Sequence, residues 1–247
     1  MDRDSLLGRA KTALIVAAAL GVGLLAARTG GAQERPARLE VWDLELGAHA
    51  GDLPSREFIE FACGTNGGPP SRPLKGFSEF NKCKPEDNGL YEVTFRYDDQ
   101  PEYWARAQEA PTLILLFAGT TAYSRPVIVS ILIDEAGIVQ GFRLVTDPNT
   151  TIEKRRDAYT LRNFLFGRYG DGWQCTDTPP EEGETPVGTT FVKEVCTTGW
   201  RGTNITLASN FFRKPGQATY DPRTNVPTQG QFESSARLEV FLKPATE

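Results

Sequence analysis

The feature that most constrains the fold of this 247-residue chain is its set of four cysteines. They form two pairs whose members are separated by 20 and 21 positions. An even number of cysteines in an exported chain predicts two disulfides, and four cysteines allow three pairings. The nearly equal intervals favour local bridges, Cys63 to Cys83 and Cys175 to Cys196. Each bridge would remove about 3 kcal/mol of chain entropy from the unfolded state.

The N-terminus predicts export. Three cations precede an apolar run at 13–27, and small residues follow at 30–32. This is the order of the basic, apolar and cleavage regions in a secretory signal peptide. The run is shorter than the ~18 residues that a membrane-spanning helix needs. We therefore predict a signal peptide at 1–32 and a periplasmic or secreted mature protein without stable membrane insertion; an uncleaved membrane anchor is the alternative.

The charge of the mature chain excludes one class of partner. Removal of 1–32 takes away four cations and two anions, which leaves 23 Lys and Arg against 30 Asp and Glu, a formal charge of −7. Neutralisation of phosphates by cations supplies most non-specific affinity for nucleic acid. An acidic chain also lacks the basic surface that adsorbs to anionic lipid. We therefore predict no nucleic-acid partner.

Alternating residues predict several strands. Segment 91–97 alternates aromatic and β-branched residues with polar ones, which is typical of a half-buried strand. Segments 127–134 and 138–147 are joined by three residues that end in Gly137, which predicts a hairpin. Three further segments are strand candidates: 112–117, 204–212 and 236–242. Runs of strands with few helices indicate an α+β fold built on antiparallel sheet.

Two further segments are predicted to be helical. An N-cap and an early proline at 98–101 predict a short helix at 102–109. Segment 150–153 matches the capping box, and a helix should run from it to about Arg168. Four cations lie largely away from its apolar face, where they either bind an acidic partner or form a solvated surface: Lys154, Arg155, Arg156 and Arg162.

The two cysteine pairs lie in similar surroundings. A predicted helix leads to the first cysteine of each pair, at 55–61 in the first half, and a strand candidate follows each second cysteine. This order predicts two α+β modules, 33–148 and 149–247. Residue identities barely match, so duplication and a chance agreement of spacing both remain open.

This order of helix, two cysteines and antiparallel strands, occurring twice, resembles the tandem arrangement of the β-lactamase inhibitor protein family. The opening 44–47, followed by Leu53 and Pro54, is also similar to the start of small envelope modules of the BamE type. The first resemblance implies a concave sheet surface that recognises another protein. Neither resemblance transfers a binding residue to this chain.

The sequence offers no specific catalytic motif. His49 is the chain's one histidine, it lies in a loop-like stretch, and Gly-x-Ser-x-Gly is absent. Zinc is the competing use of four cysteines, but no Cys-x-x-Cys spacing accompanies them. We therefore predict no catalytic residue, no metal and no cofactor. A hydrolase that uses carboxylates, such as Asp98, Asp99 and Glu102, is the alternative.

Three polar segments are candidates for binding. The glycine-rich segment 63–70 either cradles an anion through its backbone amides or forms a rigid turn held by Cys63. Segments 177–188 and 214–230 are long enough to be binding loops or disordered connections. The last one carries Tyr220 and Arg223, whose residue types dominate binding hot spots. We therefore predict a non-catalytic protein that binds another protein or an envelope component, with Tyr220 and Arg223 in contact with it.

Overall fold

The computed structural model describes residues 39–98, 104–105, 107–110, 120–215, 223–224 and 232–243. The described residues form nine strands and a few short helices, so the predicted α+β class is confirmed. The strands are β1 Phe58–Cys63, β2 Tyr91–Tyr97, β3 Thr121–Ala122, β4 Arg125–Ile133, β5 Val139–Thr146, β6 Gln174–Asp177, β7 Val192–Trp200, β8 Thr203–Phe212 and β9 Glu233–Leu242.

The strands form a single antiparallel sheet in the order β1-β2-β4-β5-β9-β8-β7-β6, with β3 paired to β4. Strands from 33–148 and 149–247 meet inside this sheet, because β5 pairs with β9 and Leu144 lies opposite Leu238. The described residues also belong to one compact unit. The two predicted modules therefore share one sheet, and their origin by duplication stays a hypothesis.

The segments with the clearest alternation have the predicted structure. Strand β2 has the predicted bounds, and β4 and β5 form the predicted hairpin, in which Gly137 has a φ of 85°. A positive φ is the backbone conformation that this turn position requires, and glycine adopts it without strain. Strands β8 and β9 lie where the candidates at 204–212 and 236–242 predicted them.

The prediction of a helix at 55–61 is wrong. Only Ser55–Glu57 forms a 3-10 turn, and the following residues form β1. The register of β1 shifts between Ile59 and Ala62, and Glu60 has a φ of 52°, which identifies a bulge. The bulge breaks the alternation of side chains that identifies a strand, so this strand lacks its usual pattern.

The helix predicted from 150 to about Arg168 is interrupted. It consists of α1 Ile152–Arg156, a 3-10 turn Ala158–Thr160 and α2 Leu161–Tyr169. The predicted capping box is also wrong, because Thr151 is the N-cap and its side chain makes no capping hydrogen bond. Residues 104, 105 and 107 are helical, within the predicted helix at 102–109, whereas the strand candidate 112–117 lies outside the described residues. Other short 3-10 turns lie at Val41–Asp43, Ala50–Asp52 and Phe77–Lys82.

One face of the sheet carries the apolar core. Five buried side chains lie side by side across five strands in this register: Val93, Ile131, Phe142, Val240 and Ile205. Residues of α2 and of the segment before β1 belong to the same core, including Leu161, Leu165 and Val41. The described part of the chain contains no helix long and apolar enough to cross a membrane.

Both predicted disulfides are present, Cys63–Cys83 and Cys175–Cys196. The first closes the segment that connects β1 to β2, and the second joins β6 to β7, where the two cysteines lie directly opposite each other. Two disulfides are compatible with an oxidising compartment.

Candidate functional site

Segment 64–88 wraps around the end of the sheet near β1 and β2: Phe77 packs in the apolar core, whereas Asn66, Gly67 and Glu86 contact side chains on the second face. The prediction that β2 is half buried is therefore wrong, because Glu92 and Thr94 on this face are each 2% exposed. The Glu92 carboxylate accepts hydrogen bonds from the backbone N–H groups of Asn66 (2.5 Å) and Gly67 (3.0 Å). The glycine-rich segment thus cradles an anion, and that anion is a side chain of the same protein.

Two glycines make this arrangement possible. A Cβ atom on Gly64 would overlap the carboxyl group of Glu92. Gly67 has a φ of 76°, and a Cβ atom there would collide with the side chain of Val145. Close approach of a backbone and a positive φ are the two situations in which glycine has no good substitute.

Arg143 is the second member of this buried group and is 3% exposed. Its guanidinium pairs with Glu86 (2.7 Å), Glu92 (2.9 Å) and Glu239 (2.8 Å). Burial by itself lowers the pKa of Arg143, but the three carboxylates outweigh it and raise that pKa above its ordinary value. The cation is therefore permanently charged and fully paired.

Arg237 extends the group at its exposed side. It donates to the backbone and side-chain oxygens of Asn66 and to Glu239 (2.8 Å). Burial raises the pKa of Glu239, but Arg143 and Arg237 together lower it below its ordinary value. We call Glu86, Glu92, Arg143, Arg237 and Glu239 the buried charge network. Its charges satisfy one another, so the network fastens segment 64–88 to the sheet.

Two clefts flank the glycine-rich segment. The larger, of about 680 Å³, borders the buried charge network and is also lined by Lys84 and Asp87. The smaller, of about 500 Å³, is lined by Pro69 and by charged residues, among them Glu60 and Lys154. Glu60 pairs with Arg96 at 3.0 Å, and both side chains are largely exposed. Both clefts therefore combine apolar surface with charged side chains of both signs.

His49 has a structural role. It is exposed, and its Nδ1 accepts a hydrogen bond from the backbone N–H of Gly51 at 3.1 Å. This bond caps the 3-10 turn Ala50–Asp52. No serine or carboxylate within the described ranges hydrogen-bonds to it. Of the carboxylates considered for hydrolysis, Asp98 is described, whereas Asp99 and Glu102 lie outside the described residues.

One cluster of potential metal ligands surrounds the second disulfide. The ligand atoms of Cys175, Glu194 and Cys196 lie within 4.8 Å of one another. The two sulfur atoms are bonded to each other, and thiolates are the form that binds metal. Glu194 forms an ion pair with Arg162 of α2. These contacts join β7 to the helix that covers it.

A strained turn connects β3 to β4. The two residues of this hairpin loop, Tyr123 and Ser124, both have positive φ, 49° and 64°. Two-residue hairpin loops of this type favour Asn-Gly, and a larger side chain in the left-handed region costs about 1–2 kcal/mol. A tyrosine and a serine are held here against their intrinsic preference.

Arg125 holds this turn in place. Its guanidinium donates to the carbonyl of Tyr123 (2.9 Å), to the carbonyl of Asp157 (3.1 Å) and to the Thr160 hydroxyl (2.9 Å). It also lies over the Phe164 ring, 4.6 Å from the centroid. Burial lowers the pKa of Arg125 below its ordinary value, and Asp157 opposes this effect. The turn is thereby fixed to the beginning of α2.

Aromatic rings and arginines form an exposed surface around this turn. Tyr123 and Phe164 are 39% and 43% exposed and stack with centroids 5.2 Å apart. Trp42 lies 6.5 Å from Tyr123, and Arg168 covers the Trp42 ring at 4.4 Å. We call Trp42, Tyr123, Arg125, Phe164 and Arg168 the aromatic–arginine patch. Tryptophan, tyrosine and arginine are the residues most enriched at binding hot spots.

The sequence predicted a different pair of binding residues, which are not members of the patch. Tyr220 lies outside the described residues, and Arg223 is described and exposed, so their role stays a prediction. The other predicted loop, 177–188, is anchored, because Lys193 pairs with Glu181 (2.8 Å) and Glu184 (3.0 Å). Sequence reasoning missed the aromatic–arginine patch, whose members come from three distant segments.

Comparison of the chain with protein-family models, with curated proteins and with solved structures found no match. The resemblances to the β-lactamase inhibitor family and to BamE-type modules therefore stay hypotheses.

Proposed function

We propose that this chain is an exported protein that binds another protein, without catalysing a reaction, through the aromatic–arginine patch. The observation that carries the proposal is the strained turn that displays Tyr123. Non-glycine residues keep a positive φ only where their surroundings enforce it, and such residues cluster at functional sites. Here the enforced conformation presents an exposed aromatic ring beside a second one.

The rigidity of the patch supports binding. Arg125 fixes the Tyr123 backbone to the start of α2 and also covers Phe164. Ordering a side chain at an interface costs about 0.5–1.5 kcal/mol, and a surface that is already ordered avoids part of this cost. An aromatic surface held in this way favours tight association.

Two observations support export. Residues 1–32 have the pattern of a secretory signal, and the two disulfides fit an oxidising compartment. The proposed location is periplasmic or secreted, and the partner is another protein or an envelope component. The carboxylates of the buried charge network are bound by arginines, which favours a structural role for them over an acid–base role.

The test compares variants that change the patch without weakening the fold. Tyr123→Gly removes the ring and relieves the strain at positive φ, so this variant should be at least as stable as the wild type. Phe164→Ala removes the second exposed ring. Val195→Ala is the matched control, because Val195 is 41% exposed on β7 and belongs to no part of the patch.

Each tagged variant would be used for affinity capture from the exporting cells, and the enriched proteins quantified by mass spectrometry. The Kd of the main captured protein would then be measured. Both patch variants should raise this Kd by about tenfold or more, as expected for hot-spot residues, and Val195→Ala should leave it unchanged. The proposal fails if both patch variants fold normally and bind as the wild type does.

The loop that carries Tyr220 and Arg223 requires a separate test. Replacement of both residues with alanine should leave the fold intact and weaken binding of the captured protein by ~2 kcal/mol or more, if they are hot-spot residues. Calorimetric titration of the double variant measures this change. An unchanged Kd would identify the loop as a connector.

A further inference from the structure

A small pocket adjoins the aromatic–arginine patch at the strained turn. It has a volume of about 320 Å³ and is lined by Ser124, Arg125, Pro126, Lys154 and Asp157. Ser124 belongs to the turn, and Arg125 both lines the pocket and covers the Phe164 ring, so the pocket and the exposed rings share a border.

We propose that the partner presents an acidic segment of polypeptide, with a carboxylate in this pocket and an apolar or aromatic side chain on the rings of Tyr123 and Phe164. The inference depends on the function proposed above and specifies the chemistry of the partner. It also gives a role to Lys154 of α1, one of the four cations that the sequence left open between an acidic partner and a solvated surface.

The charges around the pocket favour an anion. Its described lining contains two cations, Arg125 and Lys154, and one anion, Asp157. Lys154 is exposed, and no described carboxylate forms an ion pair with it. Arg168 adds a third cation on the nearby Trp42 ring. The mature chain carries a formal charge of −7, so this cationic surface contrasts with the rest of the protein and complements an acidic partner.

Hydrogen-bond donors remain for such a carboxylate. A guanidinium has five N–H groups. The bonds that hold the turn use three nitrogen positions of Arg125, one N–H on each, which leaves two N–H groups. The three N–H groups of Lys154 and the hydroxyl of Ser124 complete the set. Arg125 can therefore bind a carboxylate while it continues to hold the Tyr123 carbonyl.

The size of the site favours polypeptide over a phosphate polymer. A nucleic acid or polyphosphate needs an extended row of cations, because its affinity grows with the number of neutralised phosphates. This site has a compact cationic pocket next to two stacked rings and Pro126. A carboxylate with an apolar neighbour in the same chain matches both parts.

Defined polymers test the inference. The wild-type protein would be titrated by calorimetry with a random copolymer of glutamate and tyrosine, with polyglutamate, with polylysine and with inorganic polyphosphate. The glutamate–tyrosine copolymer should bind most tightly, polyglutamate should bind at least tenfold more weakly, and polylysine should not bind. Failure of the copolymer to bind, or equal binding of polyphosphate, would overturn the acidic-polypeptide assignment.

Charge-reversed variants locate the binding. Lys154→Glu should weaken copolymer binding at least tenfold, whereas Lys243→Glu, a reversal of an exposed lysine after β9, should change it less than twofold. Equal effects of the two reversals would overturn the inference.

The captured partner separates this inference from the proposed function. If Tyr123→Gly weakens its binding and Lys154→Glu does not, the patch binds a protein and the acidic assignment fails. If neither variant changes the Kd, both fail. Weakening by both variants supports both.

Discussion

The two ends of the sheet carry disulfides of nearly equal loop length, 20 and 21 residues apart in sequence, in different surroundings. At the first end both cysteines are buried, Cys63 at 4% and Cys83 at 7% exposure. They close the segment that covers the buried charge network. At the second end Cys175 is exposed and lies on β6, a four-residue strand at the edge of the sheet.

This difference shows that two cysteine pairs with equal spacing in sequence need not have equal structural roles. In the simplest model the two bridges constrain the unfolded chain to the same extent, because that effect depends on loop length alone. In the folded state the first bridge holds a layer over buried charges, and the second fixes a short edge strand. The spacing that suggested an internal repeat therefore corresponds to two different structures.

Removal of Glu92 should give the largest effect on the first end. Glu92→Ala leaves the amides of Asn66 and Gly67 without their carboxylate acceptor and removes one of the three carboxylates that pair with Arg143. Breaking a buried ion pair costs about 3–5 kcal/mol. Urea unfolding should show this loss. Glu60→Ala is the control, since its pair with Arg96 is exposed and should contribute under about 1 kcal/mol. Equal losses of unfolding free energy in the two variants would contradict the greater contribution of the buried pair.

Removal of each disulfide tests the comparison directly. Cys63→Ala with Cys83→Ala should lower the free energy of unfolding by about 3–4 kcal/mol, and Cys175→Ala with Cys196→Ala by about 2 kcal/mol. The second loss is smaller because β6 is exposed and can open locally. Hydrogen exchange should rise across segment 64–88 in the first variant and only near β6 and β7 in the second. A global rise in both variants would refute the distinction.

The second end should be sensitive to high pH. Tyr169 packs against Trp173 and Trp200, and burial raises its pKa to about 12. In the unfolded chain this phenol ionises near pH 10, so its contribution to stability is full below pH 10 and is lost as the pH rises toward 12. The loss over this range is about 2–3 kcal/mol. Tyr169→Phe should remove this part of the pH dependence in urea unfolding, and an unchanged profile would contradict it.

The stability contributed by the buried charge network should fall at low pH, and this is the smallest of the four effects predicted here. Arg143 and Arg237 lower the pKa of Glu239 despite its burial. The stabilisation from Glu239 is therefore present above its ordinary pKa and is lost as the pH falls through the lowered value. Glu239→Gln should make the acid limb of the stability profile shallower. A steeper limb would show that this pKa is raised in the folded protein.

Local sequence was sufficient for the elements with regular alternation. Strands β2 and β9 alternate in sequence with a period of two, and the hairpin of β4 and β5 consists of two β-rich runs joined by a turn that ends in Gly137. The disulfides followed from spacing and compartment. Strand β1 was missed because its bulge at Glu60 disrupts the period, and β6 because its four residues are polar and exposed.

The candidate site could not be predicted in the same way. Glu92 and Arg143 stand 51 positions apart and meet only because β4 lies between their strands. The patch combines Trp42, Tyr123 and Phe164, which no local pattern connects. The positive φ of Tyr123 could not be predicted either, because two-residue hairpin loops typically contain Asn-Gly and not Tyr-Ser.

The edges of the sheet affect whether copies of this protein join edge to edge at high concentration. The outer edge of β1 is occupied, because the Cys63 N–H donates to the carbonyl of Arg72 and the Phe61 carbonyl accepts from the N–H of Leu74. The opposite edge is the short β6, and prolines follow it at 179–180. Short edges and prolines oppose the joining of sheets from neighbouring molecules. Reduction of Cys175–Cys196 would release β6 and uncover nine-residue β7. We therefore expect the oxidised disulfide to oppose polymerisation of the chain as well as its unfolding.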